Sequence, residues 1–187
     1  AWRSLRLNKI YAAINIGGIA IGLTAFWLIT LYVGDEMSYD TSFANADRIC
    51  RIVQHASWPG GNMNIVPTSP PFATAFKNDF PQVEDAARID IEGGGIIHYG
   101  EKTIKQDDIC FSENSFFKLF DYHFLYGDPR TALSQLQSIV ITESLANKIF
   151  GDPSKAINKT ILFGSDNYPN KVTGVIKDMP QNSHLQF

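Results

Sequence analysis

The alternation of apolar and polar positions divides the chain into two unequal parts. From Ile10 to Gly34 there is no charged side chain. Ile14, Ile16, Ile19, Ile21, Leu23, Phe26, Leu28, Ile29, Leu31 and Val33 fall on every side of a helix drawn through that stretch. A helix apolar all round is surrounded by lipid or by a large core. About 25 residues at ~1.5 Å each cross the ~30 Å of membrane hydrocarbon with room for tilt. The pattern therefore predicts a transmembrane helix over residues 10–34. The apolar run exceeds the ~7–15 residues of a signal-peptide core and no A-x-A-like site ends it, so an uncleaved anchor is expected. Arg3, Arg6 and Lys9 precede the helix, while Asp35, Glu36 and Asp40 follow it. Basic residues stay on the cytoplasmic side, which places the N-terminus inside and everything after Gly34 outside. Residues 1–9 read as a cytoplasmic amphipathic segment, with Trp2 and Leu5 toward the membrane and the cations among headgroups.

Beyond residue 34 the apolar runs are short and irregular. Asp47–Val53 reads as a first strand, and Pro59-Gly60-Gly61-Asn62 as a loop. Ser69-Pro70-Pro71 opens a helix that runs to Phe80, with Ser69 as the cap. Phe72, Ala75, Phe76 and Phe80 give it one apolar face, and Pro81 stops it. Strands are expected at Ala86–Ile91, Ile96–Tyr99 and Thr103–Phe111, joined as a meander by the turns Gly93-Gly94-Gly95 and Gly100-Glu101-Lys102. Glu113–Phe120 is a short helix, with Ser112 and Ser115 as caps. Ser138–Ile141 is a strand, Thr142 caps a helix to Phe150, and Gly151 ends it in a left-handed conformation. Thr160–Phe163 and Lys171–Ile176 are strands around the loop Gly164–Pro169. The mixture predicts an α+β fold: one N-terminal transmembrane helix, then a mixed α+β domain over residues 35–187 that is truncated at its C-terminal end. The non-methionine start and the stop at Phe187 within a continuing pattern predict a fragment of a longer protein.

Composition narrows the function classes. With 16 basic and 19 acidic residues the net charge is −3. No basic cluster lies beyond the juxtamembrane one, so a nucleic-acid surface is not expected. The triple glycine lacks the G-x-x-x-x-G-K-[ST] pattern, and ATP hydrolysis is not expected within these residues. No G-x-S-x-G elbow occurs. His55, His98, His123 and His184 form no metal-spaced pair. Catalytic residues, metal ligands and cofactors are therefore expected to be absent. Asn158-Lys159-Thr160 fits the glycosylation pattern, which means little in a bacterial protein. Asp35/Glu36 and Asp107/Asp108 read as solvated faces, because nothing apolar surrounds them to shift a pKa. Phe116, Phe117, Phe120, Tyr122, Phe124 and Tyr126 crowd eleven residues; they pack a helix on a sheet or line an apolar site, and core packing is the expectation. Cys50 and Cys110 both fall in apolar-patterned segments and read as small buried hydrophobes. An oxidising compartment also permits a disulfide between them. Within the membrane helix, Gly18 and Gly22 form a G-x-x-x-G, a candidate packing face for a second helix.

Several blocks then carry a resemblance over almost the whole chain. They begin with Trp2-Arg3-Ser4-Leu5, Asn8-Lys9 and Asn15-Ile16-Gly17-Gly18-Ile19-Ala20-Ile21-Gly22-Leu23. Tyr32-Val33-Gly34-Asp35-Glu36-Met37-Ser38-Tyr39-Asp40 and Asn45-Ala46-Asp47-Arg48-Ile49 follow. Further on come Asn114–Asp121, Gly127-Asp128-Pro129, Ser138–Ala146, Phe150-Gly151-Asp152 and Asn158-Lys159-Thr160. The last are Val172–Pro180 and Asn182-Ser183-His184. In order and spacing these resemble the N-terminal part of MacB/FtsX-type ABC transporter permeases. Relatives usually carry an aromatic where this chain has Cys50, so that thiol is not expected to serve the family's function.

The resemblance implies a non-catalytic permease in the bacterial inner membrane, with four transmembrane helices per half-unit and a periplasmic core domain. It implies a cytoplasmic ATP-binding subunit, fused or separate, and a homodimer or paired permease in the lipid bilayer. A periplasmic adaptor or substrate protein is the further partner it suggests. Movement driven by ATP inside would reach the periplasmic domain, for export or for mechanotransmission. Two other classes stay open: a single-pass membrane sensor with a periplasmic ligand-binding domain, and an anchored enzyme, for which no catalytic set is visible.

Overall fold

The computed structural model describes residues 9–41, 43–180 and 182–186. The expected amphipathic segment, with Trp2, Arg3, Leu5 and Arg6, lies outside the described residues. The chain forms two compact units, Ala1–Asp40 and Thr41–Phe187. Among the described residues the first holds one helix, α1 (Lys9–Glu36), of 28 residues. At ~1.5 Å per residue it is about 42 Å long. None of its residues is buried by protein.

The second unit is built on a six-stranded sheet. Its strands are β4 (Gly95–Tyr99), β5 (Lys102–Gln106), β7 (Phe124–Gly127), β8 (Ser138–Thr142), β9 (Thr160–Phe163) and β10 (Tyr168–Ile176). The order β5-β4-β9-β10-β7 is antiparallel throughout, and β8 pairs with β10 in parallel. Helix α4 (Glu143–Phe150) makes the crossover from β8. Thr142 accepts a hydrogen bond from Leu145 N–H, and Gly151 closes the helix at φ +76°, so sequence chemistry sets both ends of this element.

Each face of the sheet carries a core, because side chains alternate along its strands. On one face Ile141, Val172 and Val175 meet Leu145, Ala146 and Ile149 of α4, with Ile97, Ile104 and Ile161 beside them. On the other, Val140 and Ile176 meet Phe116 and Phe117 of α3 (Phe116–Leu119) together with Phe120, Tyr122 and Phe124. The aromatic run is therefore core up to Phe124, while Tyr126 is exposed.

Two strands expected as parts of a meander instead make one long ribbon. β3 (Ile89–Glu92) pairs with β6 (Ile109–Ser112), and β4 pairs with β5. The register is continuous: Ile89 faces Ser112, Glu92 faces Ile109, Gly95 faces Gln106 and Tyr99 faces Lys102. Gly93-Gly94 and Asp107-Asp108 interrupt the pairing and kink the ribbon, so its two halves belong to different sheets. Gly94 has φ +70°, and a Cβ there would lie 2.5 Å from Gln106 O and 2.7 Å from Asp107 O. Gly94→Ala is therefore expected to lower stability by about 1–3 kcal/mol, since strain and a backbone clash add. A chemical-denaturation midpoint unmoved by that change would show that the kink relaxes freely.

The first expected strand is wrong. Ala46–Arg48 is a short 3-10 turn, residues 49–53 have no partner strand, and Ile52 and Val53 are 43% and 49% exposed. Strand structure starts later, as the hairpin β1 (Gln54–Trp58) and β2 (Gly61–Ile65), turning through Pro59-Gly60. The apolar residues Ile49, Cys50, Ile52 and Val53 suggested burial, but none is buried and no strand pairs with them among the described residues. Helix α2 (Phe72–Asp79) forms as expected, with Pro71 rather than Ser69 at its cap position. Ser115 and Ser112 also cap nothing with their side chains: Ser115 precedes α3 without a capping bond, and Ser112 Oγ donates to Arg88 O at 2.7 Å.

Candidate functional site

A long apolar helix and the segment that fastens the following chain are the features a membrane-linked function would use. Along α1 the glycines Gly17, Gly18 and Gly22 have nothing within 4 Å of where a Cβ would stand. Gly18 and Gly22 lie one turn apart, so they leave a groove in the helix surface where another backbone can approach. The polar side chains inside the helix are satisfied locally: Thr24 Oγ1 donates to Ala20 O and Thr30 Oγ1 to Phe26 O, each at 2.8 Å. Lys9 begins the helix, and no other basic residue occurs in it.

The second unit starts with a fastened strap. Phe43 is 8% exposed. Its ring meets Phe120 and Tyr122 edge-on, at centroid distances of 5.1 and 5.3 Å. Ala44 N–H donates to Asp121 Oδ1 at 3.0 Å. Only six residues separate Glu36, the last of α1, from Phe43. Sequence reading missed Phe43, an isolated aromatic with no periodicity around it; the signal was its complement, the aromatic run that had to pack against something.

A belt of charges holds the surface between α2 and α3. Asp85 receives Lys77 Nζ at 2.7 Å and Ala86 N–H at 3.0 Å, with Lys118 Nζ at 3.6 Å. Burial pushes its carboxyl up, but the hydrogen bonds and the two lysine charges outweigh that and hold it below its ordinary value. Glu113 takes a fork from Arg88, Nε at 3.2 Å and Nη2 at 2.7 Å, and the Arg88 N–H at 3.1 Å. That hydrogen bonding holds the Glu113 carboxyl low against the opposing effect of burial. Arg48 also pairs with Glu84. Because both folded-state values lie below the unfolded ones, this stabilisation is complete above about pH 4.3 for Glu and 3.9 for Asp. It is lost as pH falls through the lower folded values. The melting temperature is expected to fall between about pH 5 and about pH 3, and to fall less steeply in Glu113→Gln. Identical slopes for the two proteins would remove Glu113 from the acid response.

The recurring sequence blocks turn out to build corners rather than chemistry. Asp178 caps α4, accepting from Ser144 N–H at 3.1 Å and Ser144 Oγ at 2.6 Å. Thr173 Oγ1 donates to Ala132 O at 2.6 Å. Gly127 and Gly174 face each other across β7 and β10, and a Cβ on Gly174 would strike Phe124 at 2.7 Å. Asn114 holds the loop after β7 through Arg130 O and the Leu133 N–H. Asp152 Oδ1 accepts from Ser154 N–H and Oγ, at 2.9 and 2.7 Å. Each of these side chains is engaged within the fold, with a backbone group or a neighbouring hydroxyl.

Both cysteines are free. Cys50 is exposed, contrary to the expected burial, because its segment is not a strand. Cys110 is half-buried in β6, and burial with the nearby Asp90 charge pushes its thiol up to about 11. Among the described residues no three His, Cys, Asp or Glu side chains converge as metal ligands. A concavity of about 790 Å³, open to solvent, lies by the end of α4 between Tyr99, Phe150, Lys155 and Lys159. Its Lys102 is already engaged, donating to Ile149 O at 2.6 Å.

Residues 12–186 match the model of the MacB-like periplasmic core domain. The chain belongs to that family. A domain of a candidate permease protein from Porphyromonas gingivalis is similar at a TM-score of 0.68 and 26% identity, over 79% of this chain and 63% of that one. The periplasmic region of MacB from Actinobacillus actinomycetemcomitans is similar at 0.45 and 20% identity, over 56% and 48%. The extracellular domain of the noncanonic ABC-type transporter YknZ from Gram-positive bacteria is similar at 0.41 and 18%, over 49% and 48%. The chain spans less than two thirds of each of these. No protein of curated function matches it. As a MacB-like periplasmic core domain of the ABC transporter permease family, it carries one helix long and apolar enough to cross a membrane. The α+β fold and the family expected from the sequence blocks are those found.

Proposed function

We propose that this chain is the anchored end of a permease subunit that relays ATP-driven movement from a cytoplasmic partner to its periplasmic domain, for export or mechanotransmission. The strap carries the reading. Six residues separate the end of α1 from Phe43, and Phe43 and Ala44 are fixed to the loop that follows α3. A short, fastened connection passes on a displacement that a long loose one would absorb. In this reading residues 1–9 lie at the cytoplasmic surface with Arg3, Arg6 and Lys9 among anionic headgroups. Residues 10–34 cross the bilayer of the inner membrane, and residues 35–187 are periplasmic. The ATP-binding subunit works from inside, and a periplasmic adaptor or substrate protein meets the domain.

The test is hydrogen exchange on the intact subunit with its ATPase in nanodiscs, with and without ATP. Amides at 43–44 and 120–124 are expected to change protection on ATP addition. An unchanged pattern there would sink the relay. Gly18 and Gly22 are assigned to packing against a second membrane helix, in a homodimer or paired permease. Gly18→Leu with Gly22→Leu is expected to insert normally yet to lower transport about tenfold, the equivalent of losing 1–2 kcal/mol of helix packing. Full transport by that variant would leave α1 a plain anchor.

A further inference from the structure

One polar side chain inside α1 has no local outlet. Between Ile10 and Gly34 the only carboxamide is that of Asn15. Thr24 and Thr30 return their hydroxyls to the backbone of their own helix. Asn15 closes no such bond among the described residues, and it lies exposed on the helix surface. A carboxamide carries two N–H donors and a carbonyl acceptor. In hydrocarbon no water meets them, and a polar group left unpaired there is costly. The uncharged stretch from Ile10 to Gly34 is about 37 Å long at ~1.5 Å per residue, against ~30 Å of hydrocarbon. Centred in the bilayer, it places Asn15 about 4 Å inside the apolar layer.

The side of the helix on which Asn15 lies is a second, independent observation. Asn15, Gly18 and Gly22 are spaced i, i+3 and i+7, which is one face of a helix. At 3.6 residues per turn Gly18 lies about 60° and Gly22 about 20° from Asn15 around the axis. A Cβ on either glycine would have nothing within 4 Å, so the carboxamide stands on the same side as the groove in the helix surface. A carboxamide placed only to be wetted at the membrane surface has no reason to share that side.

We infer that Asn15 is the polar contact of a parallel pair of α1 helices, its carboxamide donating to and accepting from Asn15 of a second copy of this chain. That exchange fixes the register in which the Gly18 and Gly22 faces meet. Three properties choose the second copy. Copies inserted with one orientation run parallel, so residues of the same number meet at the same depth. A two-fold contact must be self-complementary, and a carboxamide is its own complement, donor and acceptor at once. The groove is its own complement too, since each helix supplies the same two glycines. A lone polar group also sets register sharply, because a shifted pairing leaves it unsatisfied. The inference rests on the reading of α1 as a membrane helix that packs through Gly18 and Gly22, and it adds the group that fixes that packing.

The experiment uses the intact subunit in membranes, in a background free of other cysteines, including Cys50→Ser and Cys110→Ser. Asn15→Cys and Ala13→Cys place thiols at similar depth on opposite sides of α1, about 160° apart. On mild oxidation N15C is expected to form the disulfide-linked dimer at least tenfold faster than A13C. In a detergent dilution series of the subunit with its own cysteines reduced, Asn15→Leu is expected to weaken the dimer about fivefold. Asn15→Gln, which keeps the carboxamide, should hold most of that affinity. Leucine enters a membrane more readily than asparagine, so the loss in N15L is not failed insertion. Equal oxidation rates for the two thiols, or an N15L dimer as tight as wild type, would overturn the inference. Gly18→Leu with Gly22→Leu tests the groove separately. If that pair weakens the dimer and Asn15→Leu does not, the packing face stands and the hydrogen bond across it is removed.

Discussion

Phe116→Ala is expected to lower the melting temperature of the periplasmic core domain by about 10 °C. Phe116 is 1% exposed. Its ring contacts Phe117 at 5.2 Å, Phe120 at 5.0 Å and Tyr122 at 5.6 Å. Truncating a fully buried Phe costs about 3–5 kcal/mol, because the lost transfer energy is joined by the cavity left behind. Each kcal/mol moves the midpoint of a domain of this size by about 2–4 °C. The site cannot collapse easily, since its neighbours are rigid rings held on both α3 and the sheet. Phe111, 47% exposed on β6, is the control: Phe111→Ala should cost about 1 kcal/mol or less. Calorimetry on both variants decides the matter. Equal shifts would mean that the aromatic run is a surface feature and not the core of that sheet face.

Phe43→Ala has the largest expected effect on function. It removes both edge-on ring contacts of the strap, each worth about 0.5–1.5 kcal/mol beyond burial, while the Ala44–Asp121 hydrogen bond remains. On the proposed relay, transport is expected to fall at least tenfold while ATP hydrolysis by the proposed partner continues, since the domain would no longer follow the helix. Phe43→Leu should restore part of the coupling by refilling the space. Two readouts separate this from simple unfolding: near-UV circular dichroism of the domain should persist, and the ratio of transport to hydrolysis should change. If transport and hydrolysis fall together, the strap is only part of the fold.

Local chemistry made some elements legible and distance hid others. The helix after Thr142 was readable because both of its ends are written in adjacent residues, a hydroxyl at the start and a left-handed glycine at the close. The helix Lys9–Glu36 was readable because a long apolar run without charge leaves few alternatives to a helix. The 47–53 segment misled, since alternating apolar residues announce a strand only when some other strand accepts them, and that acceptor is not local. The strand Phe124–Gly127 was hidden inside an aromatic run whose density drew attention to packing. The kinked ribbon needed the pairing of Ile89 with Ser112, across more than twenty residues, which no window of sequence contains. As for the candidate site, Gly18 and Gly22 followed from spacing, but Phe43 could be found only through what touches it. The family blocks had a definite order yet no chemistry, and the reason is now physical: Asp178, Thr173, Asn114 and Asp152 spend their polar atoms on backbone groups.

The unbroken register of the kinked ribbon has a mechanical consequence. Its far half contributes Ile97 and Ile104 to the core on the α4 side, while its near half places Cys110 against the aromatic core. Slipping one strand past the other by a single residue would turn every side chain to the wrong face in both cores at once. A pull along the ribbon therefore meets all of its ladder bonds together, whereas a pull across it would open them one by one. Gly93-Gly94 and Asp107-Asp108 are the places where those ladder bonds are interrupted.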